Sequence, residues 1–288
     1  MALPSTGLIT LTAVGSEFGI TQPQTFTKLY GKAAGIPSSG YIGLTHFYGK
    51  SNAFTFTIAA SAAQPNIRSL ATAAGWNGAA PLIVNITAPL INSLDLGSTA
   101  FAGGITLNVS AGTRIGGVGA SMSGGAGIGG NPGSFAFKTR VPVTINNQGI
   151  ISGGGGSGSA GDGRFVDYNT TRTISDDGYG GSGQGFASFS SLTVNGQGFG
   201  LSATRREHPG AVLGGQTKPW AIGGRGGDGG TWGMGGNAGS GITDYGGSYT
   251  ATGISIRAAP AGAPGPAVDG NSFVAWANAG TRLGGLIN

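Results

Sequence analysis

Of the 288 residues, 62 are Gly, 39% are hydrophobic, only 9% are charged, and the formal net charge is +5. Scarce acids rather than abundant bases set that sign, and no basic run is longer than Arg205-Arg206, so a nucleic-acid surface is not expected. The lack of cysteine excludes a disulfide framework, a thiolate nucleophile and a Cys-based metal site.

The opening Met1-Ala2-Leu3-Pro4 has no basic region followed by an apolar core, and no stretch of about 18 apolar residues occurs. We therefore expect a product made in a cytoplasm, without a visible export signal and without membrane insertion. Residues 1–50 contain a short echo. Gly7-Leu8-Ile9-Thr10-Leu11-Thr12 returns as Gly40-Tyr41-Ile42-Gly43-Leu44-Thr45, and Tyr30-Gly31-Lys32 returns as Tyr48-Gly49-Lys50. The echo suggests paired short elements. So small a block is expected to lack an independent core and to dock on a partner.

Residues 51–112 read as a β-rich connecting domain with one helix. Phe54, Phe56 and Ile58 alternate with Thr, as a half-buried strand does. Ile67, Leu70, Ala71 and Ala74 follow helical spacing, with Pro65 in the first turn, Gly75 as the stop and Trp76 as core. Alternating strands are expected at Leu82, Val84 and Ile86, at Ile105, Leu107 and Val109, and at Val141, Val143 and Ile145.

Beyond 113 the glycines dominate. In Gly223-Gly224-Arg225-Gly226-Gly227-Asp228-Gly229-Gly230-Thr231 the period is three, which is the period of polyproline II geometry. Such a helix has two bare faces, so neighbouring backbones can approach and hydrogen-bond to one another. One run alone would not offset the roughly 1 to 2 kcal/mol that ordering each residue costs. Several runs can, and the sequence holds them at 115–133, 153–163, 178–185, 223–241 and 260–270. The fold class expected is mainly β and irregular: an attachment block at 1–50, the β-rich domain at 51–112, and a polyglycine II helix sandwich at 113–288.

These runs resemble the glycine-rich receptor-binding proteins of tailed bacteriophages, the tip adhesins of T-even long tail fibres among them. Val143-Thr144-Ile145-Asn146-Asn147-Gln148-Gly149-Ile150-Ile151-Ser152 running into Gly153 adds to the likeness, as do Leu3-Pro4-Ser5-Thr6-Gly7, Ile42-Gly43-Leu44-Thr45-His46-Phe47-Tyr48-Gly49-Lys50-Ser51 and Ala71-Thr72-Ala73-Ala74-Gly75-Trp76-Asn77-Gly78. The first block differs from the fibre-docking region of the T-even adhesins. The resemblance implies a virion protein at a tail or tail-fibre tip that binds a host outer-membrane protein or surface glycan. Residues 1–50 would bind a phage tail or tail-fibre protein.

No reaction chemistry is expected. Gly156-Ser157-Gly158-Ser159-Ala160-Gly161 matches a dinucleotide fingerprint but lacks a following helix. His46, His208, Asp162 and Asp176-Asp177 form no evident nucleophile, carboxylate pair or metal cluster, and no cofactor is implied. Receptor contact is assigned to Phe165, Tyr168, Asn169, Arg205, Arg206, His208, Trp220, Trp232, Tyr245 and Tyr249, because aromatics and Arg on rigidly held loops dominate binding hot spots. Large residues could instead seal the edges of the glycine domain, and Phe186, Phe189 and Phe199 fit either role. The alternatives are a structural tail-tip protein, a depolymerase with acids gathered by the fold, and an ice-binding protein, which would need a flat repetitive face.

Overall fold

The computed structural model describes residues 3–21, 24–33, 35–50, 52–122, 128–161, 164–167, 173–175, 179–202, 205–207, 220–222, 224–241, 244–246, 251–255 and 259–288. In the strands within 164–175, 205–222 and 244–255, only the backbone is described.

The alternating segments coil into five stacked turns with three faces, the first turn lacking a strand on the third. The first face is a parallel sheet of β1 (Phe54–Ile58), β3 (Leu82–Ile86), β6 (Ile105–Val109), β9 (Val143–Asn147) and β20 (Val274–Asn278). The second joins β2 (Ala62–Ala63), β4 (Leu90–Asn92), β7 (Arg114–Gly116), β10 (Ile150–Ser152) and β21 (Thr281–Leu283). The third joins β5 (Leu94–Asp95), β8 (Phe137–Lys138), β19 (Val268–Asp269) and β22 (Leu286–Ile287).

Period two sets which residues point in. Val84, Leu107 and Ile145 stack on the first face, Ile91, Ile115 and Ile151 on the second, and Leu94, Phe137 and Val268 on the third. All nine side chains are buried in one cluster, each worth about 1.5–3 kcal/mol in transfer free energy. Outward on the first face, Asn108 Nδ2 donates to Asn85 Oδ1 at 2.9 Å and Asn146 Nδ2 to Asn108 Oδ1 at 3.5 Å. The expected helix is present as Ile67–Ala73; Asn66 Oδ1 caps it by accepting from Ser69 N–H at 2.9 Å, and Gly75 stops it at φ 104°.

The division at residue 112 does not hold. β6 and β9 pair across it, and β20 to β22 form the last turn of the same coil. The glycine-rich chain is instead two insertions between the second and third faces, at 117–136 and 153–267. Backbone pairing over such separations outweighs the composition change that suggested the boundary.

Residues 3–50 also correct an expectation. Leu3, Ile9, Val14, Phe18, Leu29, Ile36, Ile42 and Phe47 are buried in a cluster of their own. The echo is closed reciprocally: Tyr30 donates its hydroxyl to the Gly40 carbonyl, and Tyr48 donates to the Gly7 carbonyl at 2.6 Å. Likewise Gly31 N–H bonds the Pro37 carbonyl and Gly49 N–H the Pro4 carbonyl, both at 3.0 Å. Each copy completes the other, which is how so short a segment encloses a core. A helix at Leu11–Glu17, which the sequence reading did not anticipate, joins in with Val14.

Within the insertions, 153–161 is the axis. Its amides bond in three directions with a repeat of three: Gly154, Ser157 and Ala160 to the carbonyls of Ser134, Asn131 and Ile128; Gly155 and Gly158 to those of Gln184 and Gly181; Gly156 and Ser159 to those of Met234 and Asn237. Three further runs donate back: Gly262 and Gly265, Gly227 and Gly230, and Ala120. Those six neighbours also bond one another around the ring, through pairs such as Gly133 to Ala263, Ser134 to Val118, Gly183 to Ala120, Gly181 to Gly227, Asn237 to Asp228 and Gly236 to Gly262. A threefold backbone turn aims successive amides about 120° apart, which is the condition for such a ring. At its glycines the packing leaves no space for a side chain: a Cβ on Gly154, Gly155, Gly156 or Gly158 would collide with a carbonyl of Val118, Gly230, Gly262 or Gly227.

Candidate binding surface

The runs have two ends. At one, 117–120 leaves β7, 153–161 leaves β10, and 260–266 enters β19, so this end adjoins the coil. At the other, the chain leaves or enters the lattice at Ile128, Gly161, Tyr179, Leu201, Gly224 and Ser240, which the run registers place together.

Short strands bracket the connections at that far end. β11 (Arg164–Asp167) pairs with β12 (Thr173–Ser175) and with β18 (Ala251–Ser255). β15 (Arg205–Glu207) pairs with β16 (Trp220–Ile222), which pairs with β17 (Asp244–Gly246). The Gly185–Phe186 and Val194–Asn195 strands, β13 and β14, form a hairpin at the opposite end, against the coil.

Five of the ten residues assigned to receptor contact fall on this far end. Phe165 is in β11, Arg205 and Arg206 are in β15, Trp220 is in β16 and Tyr245 is in β17. Arg206 pairs with Ala221, which pairs with Tyr245, and Glu207 pairs with Trp220. Tyr168, Asn169, His208 and Tyr249 lie outside the described residues, as do Asp162, Asp176 and Asp177. His46 sits far off in the first block, its Nδ1 accepting from Gly43 N–H at 3.1 Å.

Trp232 is the exception. It lies at the coil end, half-buried, edge-on to Phe186 at 5.8 Å and 78°, with the Arg114 guanidinium 5.0 Å from its ring. A Cβ on Gly116 would stand 2.7 Å from the indole, so the glycine ending β7 makes room for it. Arg114 also donates to Ser152 Oγ at 3.0 Å, and desolvation by burial lowers its pKa from the usual guanidinium value. Beside them the Asn92 amide donates to the Ser188 and Ser191 carbonyls at 2.7 and 2.6 Å, holding the β13–β14 hairpin on the coil. Trp232 is thus a seam residue: Trp232→Ala should cost roughly 2 kcal/mol, below the 3–5 kcal/mol of a fully buried aromatic. Thermal unfolding checks this.

The Phe residues divide. Phe186 is fully buried, whereas Phe189 and Phe199 are 39% and 69% exposed. Phe199 belongs to a further run, 197–201, which lies outside the ring and bonds Ser182, Tyr179 and Gly226. The third-place residues of the Gly-Gly-X array tie it down. Arg225 Nε donates to the Gly200 carbonyl at 3.0 Å, while Asp228 Oδ1 accepts from Gly200 N–H and from Arg225 Nη2, both at 2.8 Å. The sequence reading missed both the run and the role of this pair; the glycine spacing Gly196, Gly198, Gly200 was its one signal.

Among the described residues, no group of three or more His, Asp or Glu could hold a metal ion, and no helix is long and apolar enough to cross a membrane.

Comparison with known proteins agrees with this architecture. A chain of the gp37-gp38 adhesin tip complex of the bacteriophage S16 long tail fiber matches at a TM-score of 0.50 and 22% identity, covering 98% of this chain and 99% of that one. At that identity the likeness is one of fold. No curated protein matches the sequence. Residues 53–287 match the family described as phage tail fibre adhesin Gp38. That span takes in the whole coil and both insertions, so the chain belongs to the phage tail fibre adhesin Gp38 family.

Proposed function

We propose that the protein binds a host cell-surface receptor during adsorption, through the segments that join the runs at the far end of the lattice. The observation that carries this is the gathering of Phe165, Arg205, Arg206, Trp220 and Tyr245 on paired strands there, away from the coil. We read the lattice as a polyglycine II sandwich, on the three-residue repeat of hydrogen-bond direction around 153–161. Its role is mechanical. A scaffold fixed by backbone bonds on every side presents its loops already ordered, which removes much of the ordering cost of binding. Aromatic and Arg side chains then supply buried area at low entropy cost.

The protein acts without making or breaking a bond and needs no cofactor. It sits at the tip of a tail fibre in the virion, after synthesis in the host cytoplasm. Residues 1–50 attach it to the fibre, the partner being a tail-fibre protein, as in the gp37-gp38 complex for the similar chain. Leu8 and Tyr41 take equivalent places in the two copies of the echo and are 89% and 83% exposed, although both are large apolar residues. A monomer gains nothing by exposing them, whereas a docking partner would cover them.

Two measurements test this reading. Fluorescently labelled protein should stain host cells, be displaced by unlabelled protein, and release no reducing ends from host polysaccharide. Release of sugar would make the protein a depolymerase instead. Leu8→Ser with Tyr41→Ser should leave the melting temperature unchanged and prevent co-purification with the fibre; retained co-purification would place the attachment elsewhere.

A further inference from the structure

A glycine lattice has a hazard familiar from β-sheets. Its outermost runs carry backbone amides and carbonyls with no neighbour, and a glycine-rich run of another molecule could pair with them. The runs at the rim are not equivalent to the axis in sequence, and the differences fall on particular amides.

In 260–266 the amides of Gly262 and Gly265 face the axis, bonding Ser157 and Gly154. Five positions remain, and three of them are Pro260, Pro264 and Pro266. Pro260 and Pro264 are exposed, while Gly262 and Gly265 are buried. In 128–134 the amides of Gly130 and Gly133 bond Pro260 and Ala263, and those of Asn131 and Ser134 bond Ser157 Oγ and Val118. The phase left over, which points away from every neighbour, contains Pro132. In 197–201 the amides of Gly198, Gly200 and Leu201 are bonded inward, and the phase between them holds Phe199, 69% exposed.

Proline suits the backbone of such a run, since its φ near −65° is close to that of the threefold helix, yet it removes the donor. It can occupy a rim position without disturbing the run while denying that edge an incoming chain. Within sheets it is confined to edges for the same reason. Phe199 acts by bulk, covering the open phase of its run.

The geometry points to lattice termination as the role of Pro132, Pro260, Pro264 and Phe199: they keep one molecule's glycine lattice from growing onto another's. Solubility of the domain then depends on these four rim residues rather than on surface charge, which is scarce at 9% of the chain.

The test restores the missing groups. Pro132→Ala/Pro260→Ala/Pro264→Ala returns three amides, and Phe199→Gly uncovers the fourth edge in a separate variant of the full chain. Light scattering after size exclusion, over a tenfold range of concentration, gives the mass. Folding is followed by circular dichroism, and the single Pro264→Ala variant replaces the triple one if that variant does not fold. The expected result is a folded protein whose mean mass rises with concentration to at least twice that of the wild type. A folded variant with the wild-type mass throughout would overturn the proposal. So would a lowered melting temperature at unchanged mass, since that assigns the prolines to restricting the unfolded chain.

Discussion

Gly154→Ala will destabilise the protein by about 3 kcal/mol or more, at the upper end of what overpacking costs. The added methyl has nowhere to go: it would meet the Val118 carbonyl, and the neighbouring run is itself fixed by the bond from Ser134 N–H to that same carbonyl. A flexible side chain could swing aside, but here the obstacle is backbone in a closed ring. Displacing 117–120 would also disturb the bond from Ala120 N–H to the Gly155 carbonyl. Gly158→Ala, facing the Gly227 carbonyl, should behave alike. Gly196→Ala is the control, having nothing within 4 Å of the added carbon; it should be neutral, or stabilise by about 0.5 kcal/mol through the unfolded chain. Denaturant unfolding followed by circular dichroism reads all three. Equal effects at the three positions would mean that close backbone packing does not hold the domain together.

Replacing 168–172 and 208–219 with Gly-Ser segments of equal length will abolish binding to host cells while leaving the melting temperature within a few degrees of wild type. The first segment lies between β11 and β12 and the second between β15 and β16, so the paired strands that bracket them remain. Tyr168, Asn169 and His208 are removed, while Phe165, Arg205, Arg206 and Trp220 stay. Hot spots cluster, and losing several contacts at once costs more than any single truncation. Retained Phe165, Arg205, Arg206 and Trp220 are not expected to sustain adsorption alone. Binding that persisted in both variants would show that these two segments do not carry recognition.

The parts of the fold legible beforehand were those with strong periodicity. Leu82–Ile86, Ile105–Val109 and Val143–Asn147 alternate without interruption, and Ile67–Ala73 has a cap, a helical stripe and a glycine stop. The coil itself was hidden, because its third face is built from two-residue strands such as Leu94–Asp95 and Phe137–Lys138, too short for any period. Nor does the glycine count reveal where the chain returns to the coil, which is why 113–288 read as one domain. The first block was misjudged because its apolar residues lie on short turns at irregular spacing, and its core closes only through bonds between the two echo copies.

Site reading met a different limit. An aromatic among glycines carries the same signal whether it faces solvent or fills a notch, and Trp232 fills one, above Gly116. What separates it from Trp220 is which end of a run it occupies, and that follows only from the register of the runs. Asp228 stands in the sequence only as a third-place residue of the Gly-Gly-X array, yet its carboxylate holds Gly200 and Arg225 together.

The most direct test of recognition through the far end of the lattice is adsorption competition. Host cells are incubated with purified protein, challenged with the parent phage, and counted for unadsorbed particles; the variants with 168–172 or 208–219 replaced are run beside the wild type. We predict that wild-type protein blocks adsorption in a saturable way and that the folded variants do not. If the variants block as well as the wild type, recognition does not run through these segments; if the wild type neither blocks nor binds, the protein is a structural part of the fibre tip.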